Sequence, residues 1–342
     1  MGSGPASRAT MRHGSPHMGR MRAHEQAGRL HDARMPAFAP LPEPLADGPF
    51  TTADAIAAGV TPRRLRGADL SRPFFGVRRA EQPVAVTELA ASFAVRMRPG
   101  HAFAGITAAR LWGLPVPRSW VADEALVIGV PAGTTRTRAR GTRTREFDAS
   151  RLDVVTLDGL RLLEPAAAVL TMADRVTSSE LVVLVDALLT PLDHYPGLRL
   201  RRPAATPETL ASFLERCRGM RGVAAMRAAL VEARVGAESP QETRARLCIV
   251  AAGLPEPVVQ HEVWVAGERR AVLDLAYPEL RIAIEYEGEH HLLDPGQWAK
   301  DIARQDLLES LGWIVVRATK ADLRHGGQSL VRRVRAARDR RA

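Results

Sequence analysis

Between residues 239 and 319 the chain follows an order that few folds accommodate: a helix, three short strands, a long helix and a fourth strand. Ser239, then Pro240, then Glu242 is a helix start, because serine can accept a first-turn amide and proline has no amide to leave unsatisfied. The helix runs to Ala251 and stops at Gly253. Strands follow at 258–265, 270–277 and 281–287, joined by Ala266-Gly267-Glu268 and Pro278-Glu279-Leu280, connections of the kind that make antiparallel hairpins. A helix over 295–311 and a strand over 313–319 complete an α-β-β-β-α-β unit.

Acidic residues sit inside two of these strands. Side chains alternate along a strand, so Glu285 and Glu287 share one face while Ile282, Ile284 and Tyr286 take the other. Asp274 lies between Leu273 and Leu275 in the adjacent strand, beside Glu285 if the register allows. Carboxylates crowded at the middle of neighbouring strands repel unless a cation separates them, and hard oxygen donors suit Mg²⁺ or Mn²⁺. The rival partner for Asp274 is an arginine.

Asp274, then Glu285-Tyr286-Glu287-Gly288, then His290-His291 resembles the PD-(D/E)XK restriction-like nuclease superfamily, in particular its very-short-patch-repair-like branch. The likeness covers about residues 237–325. It implies a restriction-endonuclease-like core that cleaves phosphodiesters with Mg²⁺ or Mn²⁺, with Asp274 and Glu285 as metal ligands. It also implies that Glu242 matches an acid often found on the first helix, that Glu287 occupies the place of the usual lysine, and that His290 and His291 take part in metal-water contacts or proton transfer. Two departures stand out. Lysine is absent, so Glu287 or a histidine must do its work, or activity is lost; and Val272-Leu273-Asp274 lacks the proline. Glu242 has a purely local role available as well, since Ser239-Pro240-Gln241-Glu242 is a capping box.

The rest of the 342 residues divides by composition. Residues 1–47 are rich in Gly, Pro, Ser, His, Arg and Met without apolar periodicity and predict a disordered tail, with Met11, Met18, Met21 and Met35 as alternative translation starts. Residues 48–83 predict a winged helix-turn-helix: Thr52 caps a short helix, Thr61-Pro62 starts a second, and 72–79 forms a β-wing. Arg63, Arg64 and Arg66 on the second helix and Arg78 on the wing suit phosphate contact; a small helical adaptor with a solvated basic face is the alternative.

Residues 84–205 predict a mixed α/β domain, and 206–236 a helical linker entered through a Pro-rich stretch at 191–207. Within the middle domain, 134–145 reads as a basic hairpin with Arg136, Arg138 and Arg140 on one face, either lining a phosphate backbone or protecting a strand edge. Phe50 to Arg79, with Gly105-Ile106-Thr107-Ala108-Ala109-Arg110-Leu111-Trp112-Gly113-Leu114, resembles the AbiEi-type antitoxin winged-helix module and its following domain. In the last unit, 237–342, Lys300 and Arg304 lie four apart on the outer face of the long helix, where they either hold phosphate or pair with Asp301 and Asp306 along the helix. The arginines of 332–341 read as a solvated helix end.

The formal net charge of +10 favours a polyanion partner. That signal is diluted by an arginine-for-lysine skew, with lysine only at Lys300 and Lys320, which a GC-rich coding sequence also produces. Cys217 and Cys248 are too few for a disulfide framework or a cysteine metal site. No Gly-rich phosphate loop, zinc-ligand cluster, nucleophile elbow or internal repeat is present. With no run of about 18 apolar residues and no secretory signal, the expected location is the cytoplasm and no membrane partner is expected. The sequence thus predicts a multidomain α/β endonuclease acting on DNA, with nothing to separate deoxyribose from ribose. The alternative is a non-catalytic, antitoxin-like DNA-binding regulator, which the missing lysine favours.

Overall fold

Residues 1, 38–43, 45–288 and 295–341 are described by the computed structural model, with the backbone path alone for 295–301. Most of the expected tail, His290 and His291, and the side chain of Lys300 lie outside the described residues. Three sheets interleaved with helices make the chain mixed α/β, as expected. No described helix is long and apolar enough to cross a membrane.

The first sheet pairs β1 (Phe50–Thr51) with β2 (Val77–Arg78), antiparallel. Between them Thr51, one residue before the expected cap, accepts the Asp54 amide and starts α1 (Thr52–Ala57). The expected second helix is a single 3-10 turn, Arg64–Arg66. Its carbonyls are claimed by arginine side chains rather than by a following turn: Arg78 donates to the Leu65 carbonyl (2.9 Å) and Arg72 to that of Arg66 (3.0 Å). Arg64 forks onto Asp69 (3.0 and 2.6 Å). Arg64 and Arg78, half-buried, therefore hold the unit together, while Arg63 and Arg66 are exposed. Leu45, Phe50, Ala55, Val60, Leu65 and Leu70 close this small core.

The middle unit comprises α2 (Val86–Ala94), β3 (Ala102–Phe103), α3 (Gly105–Leu111), β4 (Leu126–Pro131), β5 (Thr142–Phe147), β6 (Val154–Leu157) and β7 (Leu160–Leu163). Its sheet runs β5-β4-β3-β7-β6. The expected hairpin at 134–145 does not form, because β5 pairs parallel with β4 and 135–139 is irregular. Alternation survives even so. Hydroxyls of Thr142 and Thr144 donate to the carbonyls of Ala139 and Thr137 (2.6 and 2.8 Å), which turns Arg136, Arg138 and Arg140 outward.

Helices α4 (Pro165–Leu170) and α5 (Ser178–Leu189) follow, then α6 (Pro207–Arg216) and α7 (Val223–Glu232). The stretch expected as a linker is part of the core. Tyr195, Leu198 and Leu200 from the Pro-rich segment, Leu210 and Phe213 from α6, and Met226 from α7 are buried in the middle unit's cluster. Prolines make such burial cheaper, since each removes an amide that would need a partner.

The C-terminal unit has the expected order: α8 (Pro240–Ala251), β8 (Val258–Val265), β9 (Glu268–Tyr277), β10 (Ile282–Tyr286), α9 (Pro295–Ser310) and β11 (Ile314–Ala318). Its sheet runs β8-β9-β10-β11, antiparallel except for the β10/β11 pair, which α9 connects in parallel. A last helix, α10 (Gln328–Asp339), buries Leu330, Val331, Val334 and Ala337 and is thus more than a solvated end. With α8 it covers the sheet face bearing Tyr277, Ile282, Ile284 and Val316. Leu308 of α9 packs with Ala276 and Ala283 on the other face.

A buried ion pair joins the middle and C-terminal units. Asp186 of α5, 0% exposed, accepts from Arg246 (3.2 Å) and Thr243 (2.8 Å) of α8 and from the Arg234 amide (2.7 Å). Arg246 also meets Glu256 (2.7 Å). Burial pushes the Asp186 carboxyl up, against the pull of Arg246 and the hydrogen bonds. Removing one partner of such a pair strands the other charge, which costs about 3–5 kcal/mol. Arg246→Met is therefore expected to lower the urea midpoint sharply, and Asp186→Leu added to it to restore much of the loss. Unchanged midpoints in the single variant would show that the junction does not depend on this pair.

Candidate active site

The site is built by register. In the β9/β10 ladder Ala276 faces Ala283 and Leu275 faces Ile284, so the next step sets Asp274 opposite Glu285. In β8, Val259 faces Leu275 and His261 faces Leu273, leaving Gln260 opposite Asp274. In β11, Arg317 faces Glu285. Gln260, Asp274, Glu285 and Arg317 therefore form one row across all four strands, and directly opposed residues point to the same side of a sheet. All four line a cleft of about 320 Å³.

Asp274 opens onto this cleft, and its Oδ2 accepts the Tyr286 amide (2.7 Å). Loss of solvent pushes its carboxyl to about 6; the amide bond and Arg304 pull against this, and Glu238 and Glu287 add to it. Glu285, 8% exposed, is gripped by Arg304 through both oxygens (2.5 and 3.0 Å). Burial, then Asp274, still pushes it to about 7. Arg304 also donates to the Val272 carbonyl. The expected outward position of Arg304 is thus corrected: the α9 face that buries Leu308 also carries Arg304, one turn earlier, into the cleft. The arginine rival foreseen for Asp274 has gone to Glu285 instead.

Glu242 lies behind the row. The Ser239 hydroxyl accepts its amide (3.2 Å), and its own Oε2 accepts the Glu238 amide (2.8 Å) and the Gln260 side chain (3.2 Å). This modifies the expected capping box, whose carboxylate would return to the Ser239 amide. Burial, then Asp274, raises the Glu242 carboxyl to about 8. Glu287 pairs with Arg317 (2.9 Å). Sequence reading misses Gln260, Glu238 and Arg317. A glutamine in the otherwise apolar start of β8 is the available signal, and Gln260 adopts a left-handed φ of 51°, a conformation that costs roughly 1–3 kcal/mol.

Four carboxylates (Glu238, Asp274, Glu285, Glu287) and two guanidinium groups (Arg304, Arg317) line the cleft. Ionised, they carry two negative charges in excess, although Glu238 also meets His194 of the middle unit (2.5 Å). Among the described residues no three His, Cys, Asp or Glu side chains gather as a metal-holding group. Asp274 and Glu285 offer two carboxylates, which is a number by which Mg²⁺ is held when water completes its shell. Donor type, donor number and charge deficit thus fit a hard divalent cation, for which Glu285 would exchange Arg304. Elsewhere the expected nucleic-acid residues are dispersed: Arg136 pairs with Glu146 (2.7 Å), and Arg138 and Arg140 are exposed.

No protein-family model matches the chain. Two curated proteins of Mycobacterium tuberculosis are similar to it: the uncharacterized proteins MT2308 (strain CDC 1551 / Oshkosh) and Rv2248 (strain H37Rv). Each is 29% identical over 278 residues, spanning 81% of this chain and 95% of that protein. The similarity extends far beyond the acid-bearing unit. Among solved structures, the crystal structure of the Rv2827C protein from Mycobacterium tuberculosis aligns with a TM-score of 0.36 and 16% identity, over 64% of this chain and 84% of that one. A score that low does not establish a shared fold.

Glu242 sets a pH test. Its folded value of about 8 lies above its ordinary 4.5, so the stability it contributes is full below about 4.5 and is lost as pH rises through about 8. Between pH 5 and pH 8 the wild type should lose on the order of 3 kcal/mol relative to Glu242→Gln, which keeps the acceptor oxygen but cannot ionise. Urea melts at the two pH values read this difference, and parallel profiles would mean that Glu242 is not held protonated.

Proposed function

We propose that this chain hydrolyses nucleic-acid phosphodiesters at the Gln260–Asp274–Glu285–Arg317 row, with Asp274 and Glu285 holding Mg²⁺ or Mn²⁺. The observation that carries this reading is the pair of opposed, recessed carboxylates in a cleft with excess negative charge. Bound there, the cation would supply Lewis-acid polarisation of a phosphodiester oxygen and ease deprotonation of an attacking water. Arg304, exchanged from Glu285, is placed to take a phosphate oxygen. Glu287, oriented by Arg317, accepts the proton of the attacking water in the position the family gives to lysine. Glu242 acts at one remove, holding Gln260 and the start of α8.

In this reading the C-terminal unit is a restriction-endonuclease-like core, the N-terminal units anchor nucleic acid through exposed arginines, and the protein works in the cytoplasm. DNA is the substrate tested first. Purified full chain is incubated with supercoiled plasmid, or with RNA, in Mg²⁺, Mn²⁺ or EDTA, beside Asp274→Asn and Glu285→Gln. The expected outcome is metal-dependent strand cleavage that falls by about 100-fold or more in either variant. Absence of metal-dependent cleavage of both polymers, or variants as active as the wild type, would end this reading.

One observation favours a second reading, a non-catalytic DNA-binding regulator related to antitoxins. Arg304 satisfies both oxygens of Glu285, and Glu287 is tied to Arg317, so two of the cleft's acids are already paired within the protein. Such a protein would bind its own promoter at a defined site and take up no metal in calorimetry.

A further inference from the structure

Phe74 and Phe75 are neighbours with opposite fates. Phe74 is buried and packs edge-on against Phe93, ring centroids 5.1 Å apart at 73°. Phe75 is 93% exposed. Gly76, with φ +75, then turns the chain into β2, so the aromatic stands at a tight corner. The Arg96 guanidinium donates to the Phe75 carbonyl (2.5 Å) and fixes the backbone that carries the ring. The side chain is therefore an apolar plane displayed in water from an anchored stretch of backbone.

That plane borders a groove of about 730 Å³ whose other wall is the irregular segment 135–140. Arg96, Arg98, Arg136, Arg138 and Arg140 line it, with no acidic residue in the lining. Arg136 spends part of its charge on exposed Glu146. Among the described residues Arg98, Arg138 and Arg140 make no ion pair. The positive field is felt nearby: His101, bonded to Thr137 (3.2 Å), has its imidazole lowered by burial first and then by Arg98 and Arg161.

We propose that this groove binds unpaired nucleotides of a single-stranded nucleic acid, with a base stacked on Phe75 and the flanking phosphates on Arg98, Arg138 and Arg140. Stacking needs a free base face, which a duplex keeps inside its own stack. The alternative, reading of a major groove, needs an inserted helix or β-ribbon of some length, and the N-terminal unit offers the six-residue α1, the three-residue turn Arg64–Arg66 and the two-residue strands β1 and β2. DNA and RNA share the chemistry proposed here, and the two are separated by the test. The site is formed by the N-terminal and middle units, and the proposal does not rest on hydrolysis at the acid row.

The test is fluorescence anisotropy of the full chain in EDTA, which silences any metal-dependent cleavage. The probes are labelled oligo-dT, oligo-U and the dA·dT duplex of the same length. Single strands are expected to bind more tightly than duplex. Phe75→Ala should weaken single-strand binding by about 5- to 100-fold, the size of one base–aromatic stack, and Phe75→Trp should restore it. Arg138→Ala with Arg140→Ala should flatten the salt dependence by about 1.4 in log–log slope, because two phosphates then keep their counterions. Phe75 is solvent-exposed, so an unchanged melting temperature separates loss of binding from loss of fold. Duplex bound as tightly as single strand, Phe75→Ala equal to wild type, or no binding at low salt would overturn the proposal. A preference between oligo-dT and oligo-U names the polymer.

Discussion

Two carboxylates set opposite each other on neighbouring strands repel, and more strongly as water is withdrawn. Asp274 and Glu285 are in that position, with Glu242 behind them and Glu287 further along β10's course. The C-terminal unit answers with the Tyr286 amide on Asp274, Arg304 of α9 on Glu285 and Arg317 of β11 on Glu287. Apolar packing fixes where these partners stand. Leu308, one turn beyond Arg304, is pinned among Ala276 and Ala283, and α9 forces β11 to return parallel to β10. The core thus holds the acids together against their repulsion.

The buried pair at the unit junction gives the measure of how unusual this is. There two acids, Asp186 and Glu256, meet two arginines, Arg246 and Arg234, and a threonine hydroxyl and a backbone amide complete Asp186, so the charges are matched and the acceptors used. In the cleft, four acids meet two arginines; two of those carboxyls, Asp274 and Glu285, are raised to about 6 and 7, and Glu242 behind them to about 8. Charge balanced in place is architecture. Charge left in excess at a concave surface is the condition under which a site takes up a cation or substrate.

The C-terminal order is legible because several local rules agree there: a serine–proline helix start, alternating strands and short polar connections leave little freedom. The opposition of Asp274 and Glu285 follows from the same hairpin. What fails depends on partners distant in sequence. The second N-terminal helix is cut short by Arg72 and Arg78, which claim its carbonyls from outside the segment. The basic hairpin is lost because β5 finds β4 in parallel, a pairing that alternation cannot predict. Prolines at 191–207 suggest a linker, yet Tyr195 and two leucines anchor that stretch in the core. Sequence turns Arg304 toward solvent because helical periodicity gives a stripe, not its edges, and long side chains at an edge reach inward.

Diffraction from crystals soaked in Mn²⁺, collected for its anomalous signal, decides whether the acid row holds a metal. A peak is expected between the carboxylates of Asp274 and Glu285, with the Arg304 guanidinium moved off Glu285. A cleft without such a peak at millimolar metal, Arg304 still forked onto Glu285, would contradict it.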